Sequence, residues 1–120
     1  MLWTITLAPD HLKAELVGRE TAAETREFLH AVQTAALGKG LVRVLISVRS
    51  SKPLFKVDDY GIDEFLRLMA GVPASRVALL GDSEGVRASH EYIEVLARQS
   101  RAVVRSFRSE AAAVEWLRQS

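Results

Sequence analysis

The chain has 120 residues, of which 48% are hydrophobic and 26% charged, with 16 Lys+Arg against 15 Asp+Glu. That length suits one domain over residues 1–120, and a net charge of +1 offers no general field for nucleic acid or acidic lipid. The absence of cysteine excludes a disulfide scaffold, thiolate chemistry and a Cys-ligated zinc site.

Trp3 to Leu7 alternates apolar and polar residues, the period of a half-buried strand. Pro9-Asp10 marks a turn. Leu12, Ala14 and Leu16 alternate with Lys13 and Glu15, giving a second strand that ends at Gly18. The short connection predicts an antiparallel hairpin. Thr21 followed by Glu24 is a capping-box pattern. It opens a helix with Phe28, Leu29, Val32 and Ala36 on one face, ended by Gly38 and Gly40. Leu41 to Val48 is the third strand, and Arg49 to Lys56 is a loop. Asp58 or Asp59 is the expected cap of a second helix carrying Ile62, Phe65, Leu66 and Met69, stopped by Gly71 and Pro73. Val77 to Leu80 is the fourth strand. Asp82 or Ser83 caps a third helix with Val86, Ile93, Leu96 and Ala97 facing in. Ala102 to Phe107 is the fifth strand, and Ser109 caps a last helix with Ala113, Trp116 and Leu117.

The order ββαβαβαβα predicts an α/β fold with a five-stranded, mostly parallel sheet behind an N-terminal antiparallel hairpin. Val42, Val44, Ile46 and Val48 form one face of the third strand, and Leu41, Arg43, Leu45 and Ser47 the other. A doubly wound sheet would show near-continuous apolar strands. Here one face reads as half buried, so the four helices are expected mainly on one side. The apolar residues Leu41, Leu45, Ala78 and Leu80 on the second face carry the expectation of a homodimer.

Gly81-Asp82-Ser83-Glu84-Gly85 matches the G-x-S-x-G nucleophile elbow, between a strand and a helix. A serine nucleophile needs a base within hydrogen-bond reach. His90 lies about two helical turns on, roughly 10 Å away at 1.5 Å per residue, and His11 and His30 precede the serine. The pattern reads as a strand-to-helix turn, and no enzyme is expected. His11, His30 and His90 have no metal-ligand spacing; His90 reads as a packing residue and the other two as solvated. Glu91 and Glu94 read as a solvated helix face, and Trp3 and Trp116 as core. No cofactor or metal is implied. The start of the chain has no signal-peptide pattern and no apolar run long enough for a bilayer span, so a cytoplasmic location without membrane insertion is expected.

In a parallel sheet, ligands bind where the strands end and the helices begin. That edge gathers Arg19 and Thr21; Arg49, Ser50, Ser51 and Lys52; Asp82 and Ser83; Arg108 and Ser109. Basic and hydroxyl side chains at helix starts favour anions, and the same residues also read as ordinary caps and loops.

The layout resembles the SpoIIAA-like branch of the STAS superfamily, the sulfate-transporter and anti-sigma-factor-antagonist domains. The likeness runs along the whole chain. It rests on the Trp3 strand, Leu16-Val17-Gly18 before Thr21, the Val42–Val48 strand, Arg76-Val77-Ala78, and Phe107-Arg108-Ser109-Glu110 with Ala113 and Trp116-Leu117. It implies a (βα) superhelix acting by protein–protein contact, with some relatives resembling a lipid-exchange fold. Signalling members carry Asp-Ser-(Ser/Thr)-Gly, with a phosphorylated hydroxyl, at the start of the second helix. Asp58-Asp59-Tyr60-Gly61 stands there in this chain. Asp59 in the phosphorylated place reads either as a permanent charge, weaker than phosphate, or as a helix cap. The expected function is a non-enzymatic regulatory module with an unidentified protein partner. The alternative is a domain for a small anion or lipid. The expected surface comprises Asp58, Asp59, Tyr60, Arg49, Ser51, Lys52, Asp82 and Ser83.

Overall fold

Alternating side chains in the N-terminal segments and β-branched runs further on build one sheet, described with its helices by a computed structural model over residues 2–40, 42–52 and 60–119. The elements are β1 (Leu2–Leu7), β2 (Leu12–Val17), α1 (Ala22–Lys39), β3 (Arg43–Arg49), α2 (Ile62–Ala70), β4 (Arg76–Gly81), α3 (Glu84–Ser100), β5 (Val104–Phe107) and α4 (Glu110–Arg118). The strands lie in sequential order, β1-β2-β3-β4-β5. β1 and β2 are antiparallel, with Trp3 opposite Leu16. The other neighbours are parallel, with Ile46 between Ala14 and Leu79. The α/β architecture read from the sequence is therefore the one observed.

The helix starts follow their sequence signals. The Thr21 hydroxyl accepts from the Glu24 amide while the Glu24 carboxylate accepts from the Thr21 amide, a complete capping box. Ser83 caps α3 and Ser109 caps α4. The second helix departs from expectation. It begins at Ile62, after Gly61 with φ 74°, and has no side-chain cap. Asp58 and Asp59, expected as its cap, precede that glycine and lie outside the described residues. Gly38 is within α1, and Gly40 alone ends it, with φ 65°.

The two sheet faces are covered differently. On one face Leu12, Ala14, Leu16, Val44, Ile46, Val48, Val77 and Leu79 meet α1, α2 and α3 in the main core. On the other, Leu45 and Ala78 are fully buried by Ala113 and Leu117 of α4. The apolar residues that suggested a homodimer are thus covered within the chain, and Leu80 packs against the same cluster. Leu41, the remaining one, lies outside the described residues. Arg43 donates to the Leu117 and Gln119 carbonyls, and Arg76 donates to the Trp116 carbonyl. The Trp116 carbonyl also accepts from the Gln119 amide at 3.2 Å, and cations at this helix end complement the helix dipole. Past α4, this face bears an ionic ladder in which Glu15 pairs with Arg49 at 2.7 Å and Lys13 with Glu110 at 2.9 Å.

Trp3 and Trp116 are half-buried at the margins of the two clusters. His11, expected in solvent, is 6% exposed and bonded through Nδ1 to Asp10 at 2.8 Å. Glu94, expected on a wet helix face, accepts the Ser106 amide of β5. It thereby satisfies a donor on an edge strand.

Gly81 lets α3 approach the end of β4. A Cβ there would lie 2.9 Å from Val86 Cγ1 and 3.3 Å from Arg87 Cγ. Gly81→Ala should therefore destabilise the protein by about 1 to 3 kcal/mol, the usual cost of overpacking. Urea unfolding followed by circular dichroism checks it; an unchanged midpoint would show that α3 has room to move.

Candidate functional site

Three chain segments converge where the parallel strands end. Gly18, with φ 74°, turns the chain out of β2 and donates its amide to the Arg49 carbonyl at 3.1 Å. The Arg19 amide donates to the Ser51 hydroxyl at 3.0 Å, and that hydroxyl donates to the Arg49 carbonyl at 2.9 Å. The Lys52 amide returns to the Arg19 carbonyl at 3.2 Å. From the next strand, Asp82 Oδ2 accepts the Ser50 amide at 3.1 Å. Ser50 has φ 50°, a conformation that costs a non-glycine residue about 1 to 2 kcal/mol.

These bonds shape a polar cleft of about 430 Å³ lined by Gly18, Arg19, Glu20, Ser50, Ser51, Lys52, Asp82 and Ser83. Four of the residues proposed from sequence, Ser51, Lys52, Asp82 and Ser83, meet here with Arg19 and Ser50. The others lie elsewhere or outside the described residues. Arg49 faces the ionic ladder on the open sheet face. Tyr60 stacks on Arg19, with the guanidinium carbon 5.8 Å from its ring centroid. Asp58 and Asp59 are outside the described residues. The cleft carries two cations, Arg19 and Lys52, against two carboxylates, Glu20 and Asp82, so it has no net field for an anion. The Ser83 hydroxyl is committed to the Val86 amide at 3.2 Å, as a cap rather than a nucleophile.

Arg19 also lines a second space. It is only 5% exposed, and its guanidinium donates to the Lys52 carbonyl. Burial pushes its pKa down, while the nearby Tyr60 and Glu24 side chains oppose the shift. Behind it, between the sheet and α1–α3, lies a largely apolar cavity of about 50 Å³ whose polar lining comprises Arg19, Thr25, Ser89 and His90. Thr25 Oγ1 and His90 Nδ1 are buried there without a hydrogen-bond partner among the described residues. Burial, with the Arg19 charge adding to it, pushes the His90 pKa down to about 4. Sequence reasoning placed His90 correctly as a packing residue, but it missed the cavity. Thr25, on the first turns of α1, gave no signal beyond helical spacing.

Among the described residues no cluster of His, Asp or Glu is arranged to hold a metal ion, and no helix is long and apolar enough to cross a membrane. Comparison with protein-family models, with curated proteins and with solved structures gives no match for the chain. The STAS resemblance draws no support from them.

His90 makes stability depend on pH. Its folded pKa of about 4 lies below its ordinary 6.5, so the unfolded chain takes up the proton first. Its contribution is complete above pH 6.5 and is lost as pH falls toward 4, by about 3 kcal/mol in all at 1.36 kcal/mol per unit. His90→Leu should flatten that part of the profile. Urea midpoints of both proteins at pH 7 and pH 4.5 measure it, and parallel losses would contradict the assignment.

Proposed function

We propose that this chain is a binding domain, not an enzyme, for a small polar molecule held in the cleft at the carboxyl ends of β2, β3 and β4. The observation that carries the reading is the convergence of Arg19, Ser50, Ser51, Lys52, Asp82 and Ser83 on one cleft. Its volume of about 430 Å³ falls in the ~300–1,000 Å³ range of small-molecule sites. Its position is the usual ligand edge of an open α/β sheet. The left-handed Ser50 adds weight, because backbone strain concentrates at functional sites.

The lining chemistry specifies the ligand class. Lys52 is exposed and forms no ion pair among the described residues. Asp82 uses Oδ2 on the Ser50 amide, and no bond occupies Oδ1 among the described residues. One available cation beside one available carboxylate oxygen, among hydroxyls, suits a zwitterion or a polyol better than a simple anion. The lipid alternative fits less well, because a 50 Å³ cavity is about the volume of one or two waters and too small for an acyl chain. The protein-partner reading implied by the resemblance rests on the Asp58–Gly61 stretch, and no described geometry bears on Asp58 or Asp59.

Titration with a panel of amino acids, small sugars and dicarboxylates, followed by amide NMR, tests the reading. A zwitterion or polyol should shift the Ser50–Lys52 and Asp82–Ser83 amides saturably. Lys52→Ala and Asp82→Asn should each weaken it by about tenfold or more, the loss of one charge-assisted bond, with the fold intact. Shifts confined to other surfaces, or absent across the panel, would refute the proposal.

A further inference from the structure

The cavity behind Arg19 is separate in chemistry from the cleft and has its own occupant to explain. Thr25 and His90 are each 4% exposed, and both present a polar atom with no partner among the described residues, Thr25 Oγ1 and His90 Nδ1. Leaving such buried groups unsatisfied costs the desolvation of each without a compensating bond. Both side chains line the same space, from α1 and α3 respectively, and Arg19 brings a buried positive charge to it. No carboxylate among the described residues lies within ion-pair distance of that guanidinium.

Size limits the guest. About 50 Å³ exceeds the ~30 Å³ share of one water and is well below the ~150 Å³ cavity that admits benzene. Two or three non-hydrogen atoms fit; an aromatic ring does not. Charge and hydrogen bonding narrow the choice further. A threonine hydroxyl donates and accepts, and a neutral imidazole donates from one nitrogen and accepts at the other. Water could satisfy both orphans but would not balance the buried cation. A carboxylate of one carbon can do both, since its two oxygens accept from two donors and its charge offsets the guanidinium.

We infer that this cavity is a binding site for the smallest monocarboxylate, formate. Its oxygens accept from the Thr25 hydroxyl and from His90 Nδ1–H, with Arg19 as the counter-charge. This site stands apart from the cleft and does not require the cleft to bind anything.

Sodium formate is titrated into the full chain against sodium chloride at equal ionic strength, with imidazole nitrogen NMR on His90 and thermal melts in parallel. Formate should shift the His90 ring nitrogens saturably and raise the melting temperature, whereas chloride and benzoate should do neither. Thr25→Val keeps the shape and removes the hydroxyl, so it should weaken formate by about tenfold. Thr25→Ser, which restores the hydroxyl, should recover most of the affinity and guards against a folding artefact. Lys52→Ala, in the cleft, should leave formate binding unchanged. A His90 response that does not saturate, an equal response to chloride, or affinity indifferent to Thr25→Val would each overturn the inference and leave the cavity to water.

Discussion

Arg19 is the residue on which the geometry of the site depends. Its amide, carbonyl and guanidinium all bond to the segment that follows β3, at Ser51 and Lys52, and its side chain stacks on Tyr60. One residue, through its backbone and its side chain, therefore ties the loop after β2 to the loop after β3. It does so at the cost of burying a charge, several kcal/mol for an ion removed from water. The Lys52 carbonyl and the Tyr60 ring offset part of that cost. The result is a wall with a polar cleft on one side and a largely apolar cavity on the other. A leucine could fill the same volume and keep the two backbone bonds, but it would lose the guanidinium's bond to the Lys52 carbonyl and would bring no charge to the cavity.

The second constraint is the need to cover two sheet faces with four helices. Three of them close the face of Val44, Ile46, Val77 and Leu79, and the shortest strand, β5, leads into the single helix that turns to the other side. α4 spans nine residues, too short to cover five strands. The sequence matches this limit. The residues beneath α4, Leu45 and Ala78, are apolar, while those beyond it, Lys13, Glu15 and Arg49, are charged and paired. Of the four apolar residues that suggested self-association, Leu45, Ala78 and Leu80 pack against α4 within the chain.

Much of the fold was legible because its signals are local. A threonine three residues before a glutamate, or a serine before an apolar helix face, announces a helix start whatever surrounds it. Alternation in Leu12–Leu16 fixed which residues face the core. The edge cluster was legible through topology, since the ends of parallel strands must lie together. What escaped were features set by long-range packing. The burial of Arg19 depends on Tyr60, about forty positions on, and nothing near Arg19 in sequence signals it. His11 looks like a turn residue, yet Asp10 holds its ring down while Arg118 of α4 holds Asp10. Gly61 replaced an aspartate as the cap because a left-handed turn positions α2. The apolar residues Leu45, Ala78 and Leu80 suggested a covering by a second copy, whereas the chain's own last helix packs on them.

Arg19 is the tie between the two loops, and amide hydrogen exchange in Arg19→Met tests that most directly. Methionine keeps the buried length and removes the charge and the donors. The Arg19-position and Lys52 amides, bonded to Ser51 and to the residue-19 carbonyl, should then exchange faster, while amides inside β3 and β4 keep the protection of the intact protein. Acceleration spread evenly over the sheet would mean that Arg19 supports the whole fold rather than the site. Unchanged exchange at Lys52 would show that the loops hold together without the guanidinium, contradicting the account.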